Sequence, residues 1–165
     1  MKFSLLIPSL ILIVALVIDL KFKKIPDLWI ILSVGLALMS NYYFFQFEGL
    51  KQGAVASLIA LVLTLPLVLI GALGSSDMKL LFAFGLATTY TSVFSVTFFA
   101  FFWAAIIGVA IALKKGTGMQ LLKNSIKVLS AKANQTSDLQ KVPFTIALAL
   151  GWITYLAFGL KQGAL

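Results

Sequence analysis

Apolar residues form long runs along the chain, and short polar segments separate them. The runs predict six helices, at residues 3–19, 28–47, 54–73, 78–87, 93–113 and 144–160. Most of these runs are about twenty residues long, which is the length that a helix needs to cross a bilayer core of roughly 30 Å. The pattern therefore predicts an all-α polytopic membrane protein, a bundle of about six transmembrane helices in which residues 1–165 form a single domain.

The lysines are distributed unevenly between the two sides of this predicted bundle. All 13 basic residues are lysines, and ten of them lie in the segments that join helices 1 to 2, 3 to 4 and 5 to 6. Only three lie on the other side, which also carries both termini. Because lysine-rich loops stay in the cytoplasm, we expect the ten-lysine side to be cytoplasmic and both termini to face outward.

The longest polar segment, residues 114–141, has a second pattern within it. Its apolar residues recur at helical spacing, at Met119, Leu122, Ile126 and Leu129, and its lysines lie on another face. This spacing predicts an amphipathic helix on the cytoplasmic leaflet, in contact with membrane lipid. The alternative is a solvated basic loop.

The composition narrows the possible chemistry. The chain is 61% hydrophobic and 11% charged, and it contains no cysteine or histidine. Disulfides, zinc clusters, thiol nucleophiles and histidine-based triads are therefore excluded, and we expect no metal and no organic cofactor. Nucleic-acid binding is not expected either, because the lysines are not interleaved with a soluble aromatic platform.

The acidic residues are the main candidates for chemistry, and there are only five: Asp19, Asp27, Glu48, Asp77 and Asp138. Asp19 ends the first predicted helix and Asp77 lies between the third and the fourth, so both fall at the cytoplasmic boundary. Ionisable groups at membrane depth are costly and often mark a functional site. Two at one depth favour a shared role, although each could also be an idle, solvated interfacial charge.

Three other features near these acids have structural interpretations. Asp27 follows a proline and precedes an apolar run, which is typical of a helix N-cap. Lys79 lies two residues after Asp77, on a different face of a helix, so we expect it to support the cytoplasmic orientation or to contact lipid phosphate or substrate. Small residues, including Gly35, Gly71 and Gly74, would let helices approach closely.

Three stretches resemble the aspartic prepilin peptidases, which include the preflagellin peptidases. They are IDLKFKKIPD at 18–27, GSSDMKLLFAFG at 74–85 and KVPFTIALALG at 141–151. The resemblance implies that Asp19 and Asp77 are the catalytic pair, with Lys79 as the motif lysine. The chain has Asp27 where the family has Asn and Ser76 where it has Gly; the serine could offer its hydroxyl to Asp77.

The resemblance implies a short-form leader peptidase of the prokaryotic cytoplasmic membrane. Such an enzyme cleaves the leader of a prepilin-like substrate at the cytoplasmic face, using two aspartates that share a proton and activate a water. It needs no cofactor. Two alternatives remain open on the residues alone: a small transporter coupled to protons or cations, and a non-catalytic assembly scaffold. The sequence does not indicate an oligomeric state.

Overall fold

The computed structural model describes residues 5–22, 25–114 and 144–162, and this part of the chain is all-helical. The helices are α1 (Leu6–Phe22), α2 (Asp27–Leu69), α3 (Ser75–Leu86), α4 (Tyr90–Lys114) and α5 (Phe144–Gln162). The prediction of an all-α protein is therefore confirmed for these residues. The predicted amphipathic helix, with Met119, Leu122, Ile126 and Leu129, lies outside the described residues.

Helix α2 includes the second predicted helix and residues 54–69 of the third, which was predicted to run to residue 73. It is sharply bent at Gln46, where φ is 53° and ψ is −140°. A Cβ atom added to Gly53 would lie 2.7 Å from Asn41 Nδ2. In a straight helix, residues twelve positions apart would be separated by about 18 Å. The chain therefore folds back at the bend, and α2 has two arms, residues 27–45 and 47–69.

The predicted turn between these two arms was misplaced. We expected it in the polar stretch at 48–53, but those residues are helical and the bend comes earlier. The two arms are about 28 and 35 Å long, so each is of bilayer-spanning length. Among the described residues, two helices pass a length and composition test for a membrane span, Asp27–Leu69 and Tyr90–Ile111. The count of six crossings stays a prediction.

Helix α3 lies at the centre of the packing. Leu80, Leu81 and Phe84 are fully buried, and Phe84 meets Trp152 of α5 edge to face at 5.2 Å between ring centroids. Helix α2 packs very closely against α3, because a Cβ atom on Gly85 would lie 2.8 Å from Ser57 Cα. Glycine at position 85 thus removes the side chain that would hold the two helices apart.

The outward faces of the helices are apolar. On α1, Leu10, Ile13, Val17 and Leu20 form one stripe, with exposed fractions between 46% and 60%. Monomeric soluble proteins rarely expose a continuous apolar surface of this kind. Together with the two long apolar helices, these faces indicate a protein located in a membrane.

Candidate functional site

Asp19 lies on the inward face of α1, one turn before the helix ends. The buried residues of α1 are Pro8, Ile11, Leu12 and Ala15. Position 19 continues this stripe at helical spacing, because it follows Ala15 by four residues. The side chain is half-buried. Asp19 therefore lies on the packed side of α1 and not on the apolar stripe that faces outward.

Asp77 is the third residue of α3. The helix begins where the Gly74 carbonyl oxygen accepts hydrogen bonds from the backbone N–H groups of Asp77 and Met78, at 3.1 and 3.3 Å. A carboxylate in the first turn of a helix is favoured by the helix dipole. Leu81 and Phe84 follow Asp77 by about one and two turns, and both are fully buried. The half-buried Asp77 thus stands at the entrance to the central helix.

The Asp77 carboxylate has a defined neighbour on each oxygen. Thr145 Oγ1 donates a hydrogen bond of 3.4 Å to Oδ1. A Cβ atom added to Gly74 would lie 3.0 Å from Oδ2, so this oxygen lies directly against the glycine. Thr145 itself is fully buried, in the first turn of α5. The sequence analysis missed it, although a polar residue at the start of an apolar run was a visible signal.

An ion pair connects the start of α2 to the start of α3. Lys79 Nζ lies 2.7 Å from Asp27 Oδ1, and both side chains are largely exposed. The prediction that Asp27 caps the helix is wrong: Pro26 occupies the N-cap position and Asp27 is the first helical residue. Its negative charge still complements the helix N-terminus. Exposed pairs of this kind contribute only about 0–1 kcal/mol to stability.

These contacts gather the candidate residues at one end of the bundle. The Lys79–Asp27 pair brings the starts of α2 and α3 together, and the Thr145–Asp77 contact adds the start of α5. The end of α1, which carries Asp19, leads into α2 after only residues 23–26. Asp19 and Asp77, which come from separate parts of the sequence, therefore belong to the same end.

Glu48, the other acid in the described part of the chain, does not join this group. Glu48 lies just after the α2 bend and pairs with Lys51 at 2.9 Å, with both side chains exposed. Asp138 lies outside the described residues. Within the part of the chain that the structure describes, no group of three or more Asp, Glu, His or Cys side chains is placed to hold a metal ion.

Ser76 fits its position without backbone strain. It is half-buried and is the second residue of α3. Among the described non-glycine residues, Gln46 is the one with a positive φ, so position 76 does not require the conformational freedom of glycine. A serine at position 76, where the prepilin peptidase motif has glycine, is therefore compatible with this local fold. A hydrogen bond from its hydroxyl to Asp77 stays a prediction.

Comparison with known proteins gives one family. A sequence model described as the type IV leader peptidase family matches residues 6–112, which is more than half of the chain and includes Asp19, Asp77, Ser76 and Lys79. No curated protein and no solved structure matches the chain. Helix α5, which carries Thr145, lies beyond the matched residues.

Proposed function

Because the chain belongs to the type IV leader peptidase family, which implies an aspartic peptidase, we propose that it is an intramembrane endopeptidase that removes the leader from prepilin-like substrates. Asp19 and Asp77 are the proposed catalytic pair. The observation that carries the proposal is the family match over both aspartate motifs. It is supported by the position of the two half-buried carboxylates at one end of the bundle.

In the proposed reaction, the two carboxylates act on one water, and one of them is ionised while the other is protonated. The ionised group takes a proton from a water whose oxygen attacks the scissile carbonyl carbon, while the protonated group hydrogen-bonds the carbonyl oxygen. The C–N bond of the intermediate then breaks. The amine leaves with a proton from the pair, and the leader retains the new carboxyl group. Neither aspartate is assigned as the base.

The proposed location of the reaction is the cytoplasmic face of the prokaryotic cytoplasmic membrane. A prepilin has a short basic leader followed by an apolar helix, so its cleavage point would lie at the membrane boundary. The proposal is supported by the ten-lysine side of the chain, which includes the segments next to Asp19 and Asp77. Besides the prepilin-like substrate, we expect membrane lipid to be a partner of the chain.

The direct test is co-expression of the full chain with candidate prepilins. Leader removal shortens the substrate, so it is scored as a mobility shift on a gel, with identification of the new N-terminus. We expect a shift that depends on the presence of the chain. Uncut substrates across a panel of prepilins, beside normal membrane levels of the chain, would contradict the proposal and favour the transporter or scaffold alternatives.

The predicted topology can be tested with reporter fusions. We expect a cytoplasmic signal from a fusion at Lys115 and an external signal from a fusion after Leu165, because the lysine distribution places the 114–141 segment inside. The paired alkaline phosphatase and fluorescent-protein reporters give opposite readouts on the two sides. An external signal at position 115 would contradict both the topology and the cytoplasmic site.

Asp27→Asn is expected to retain most of the cleavage activity, at least about half of the wild-type rate. The substitution removes an exposed ion pair with Lys79, and such pairs contribute little. The measurement is the initial rate of cleavage at equal membrane levels. The comparison variant is Lys79→Gln, which removes the same pair from the other side. A loss in Asp27→Asn as deep as that of a catalytic variant would mean that Asp27 belongs to the reacting pair.

A further inference from the structure

We propose that Thr145 is a positioning residue for Asp77: its hydroxyl fixes the orientation of the carboxylate and thereby favours the catalytic step. The inference rests on the proposed function, because it assigns Asp77 to catalysis. It concerns a residue that lies outside the family match at 6–112. The contact that carries it runs from Thr145 Oγ1 to Asp77 Oδ1 at 3.4 Å.

Two side-chain contacts between α3 and α5 share one register. Asp77 meets Thr145, and seven residues later on both helices Phe84 meets Trp152. Equal steps in the same direction mean that α3 and α5 run parallel along this contact. Seven residues correspond to two helical turns, or about 10.5 Å of rise. The aromatic pair and the Thr145–Asp77 contact therefore agree on one alignment of the two helices.

Trp152 also contacts α1 and a neighbouring residue of α5. Its indole Nε1 donates a hydrogen bond of 2.8 Å to Ser9 Oγ on α1, and its ring stacks on Tyr155 at 5.5 Å between centroids. The side chain is only 4% exposed. The same tryptophan thus contacts α1, which carries Asp19, and α3, which carries Asp77.

The Thr145 hydroxyl is well placed to orient the Asp77 carboxylate. Thr145 is completely buried, and a β-branched side chain has few rotamers in a helix, so the hydroxyl has little freedom. The contact is longer than the usual 2.7–2.8 Å of an O–H···O hydrogen bond. Its expected effect is therefore smaller than that of a group bonded directly to the reacting atoms. Oδ2 lies against Gly74, so the hydroxyl and the glycine contact different oxygens of the carboxylate.

The test compares three variants of the purified full chain in a peptidase assay. The substrate is an uncut prepilin that the wild-type chain cleaves. Thr145→Val has nearly the same shape but no hydroxyl, Thr145→Ser keeps the hydroxyl, and Thr97→Val is the matched control. Thr97 is 1% exposed, and its Oγ1 has no hydrogen-bond partner in the described part of the chain. Removing that hydroxyl therefore deletes a buried polar group without touching Asp77.

We expect Thr145→Val to lower kcat about tenfold with KM unchanged, less than the hundredfold or more lost with a direct transition-state donor. Thr145→Ser and Thr97→Val should stay within about twofold of the wild type. Wild-type kcat in Thr145→Val would overturn the inference. An equal loss of kcat in Thr145→Ser would overturn it as well. So would a loss of kcat in Thr145→Val that is explained by a smaller amount of folded protein in a thermal melt. If the wild-type chain cleaves no prepilin, the proposed function fails first.

Discussion

Replacing either Asp19 or Asp77 with asparagine is expected to abolish cleavage of a prepilin substrate, with a loss of at least about a thousandfold in rate. Asparagine has nearly the shape of aspartate, but it cannot take up and return a proton at neutral pH. The general acid–base step that each carboxylate would supply is therefore removed. Both residues are half-buried at the same end of the bundle, so membrane insertion and packing should be preserved.

The two substitutions should also be strongly non-additive. Residues that act as one catalytic unit lose nearly all of their effect when either member is removed, so the double variant should be scarcely slower than each single variant. The measurement is the amount of uncut substrate at equal membrane levels. Glu48→Gln is the matched control, because Glu48 is an exposed acid beside the α2 bend that pairs with Lys51. Wild-type processing by Asp19→Asn or Asp77→Asn would rule out the pair.

The first and last helices, which are uninterrupted apolar runs in the sequence, could be predicted to within a few residues. The first run was predicted at 3–19 and the helix is Leu6–Phe22; the last was predicted at 144–160 and the helix is Phe144–Gln162. In such runs, length and hydropathy alone define the element. The two aspartates could be selected as candidates from the sequence, because acids are rare and each stands at the end of a run; their catalytic role stays a prediction.

The bend in α2 could not be predicted, because tertiary contacts determine it. The polar residues at 48–53 look like a turn, yet all of them are compatible with a helix. The chain bends instead at Gln46. Before the bend, the Asn41 side chain donates a hydrogen bond to the Leu86 carbonyl oxygen of α3. Gly53 then lies against the same Leu86 carbonyl group. These partners are distant in sequence, so local propensity gives no indication of them.

The roles of the glycines were predictable only in part. A Cβ atom on Gly35 or Gly71 would meet nothing within 4 Å, so the expectation that these two residues allow close helix packing is wrong. Gly71 instead has a φ of +75°, which a glycine adopts at no steric cost in the turn before α3. Close helix contacts occur instead at Gly53, Gly85 and Gly151. Which face of a helix carries a neighbour depends on the assembled bundle.

The side-chain contacts between helices at the site could not be predicted from the sequence either. The Lys79–Asp27 pair joins residues 52 positions apart, and the Thr145–Asp77 contact joins residues 68 positions apart. Spacing rules on a single helix reach only three or four residues. They assign Lys79 and Asp77 to different faces of a helix, but they could not supply the distant carboxylate that pairs with the lysine.

Enlarging the residue at position 74 is expected to slow catalysis strongly, although less than replacing either aspartate. The Gly74 backbone has φ −74° and ψ 145°, which any residue adopts, so space rather than conformation requires the glycine. A Cβ atom there would lie 3.0 Å from Asp77 Oδ2 and would push the carboxylate aside. Because a misplacement of about 1 Å can cost a hundredfold in rate, we expect roughly a tenfold loss for Gly74→Ala and a hundredfold loss for Gly74→Val.

Two variants separate this steric effect from a general sensitivity to small-residue changes. Gly35→Ala adds the same methyl group where nothing lies within 4 Å, so its activity should equal that of the wild type. Ser76→Gly alters the residue beside Asp77 and restores the glycine of the resembling motif, and we expect it to be tolerated. The measurement is kcat with KM, alongside membrane level and melting temperature. Full activity in Gly74→Val would mean that the Asp77 carboxylate is free to reorient, and that its contact with Gly74 does not govern the reaction.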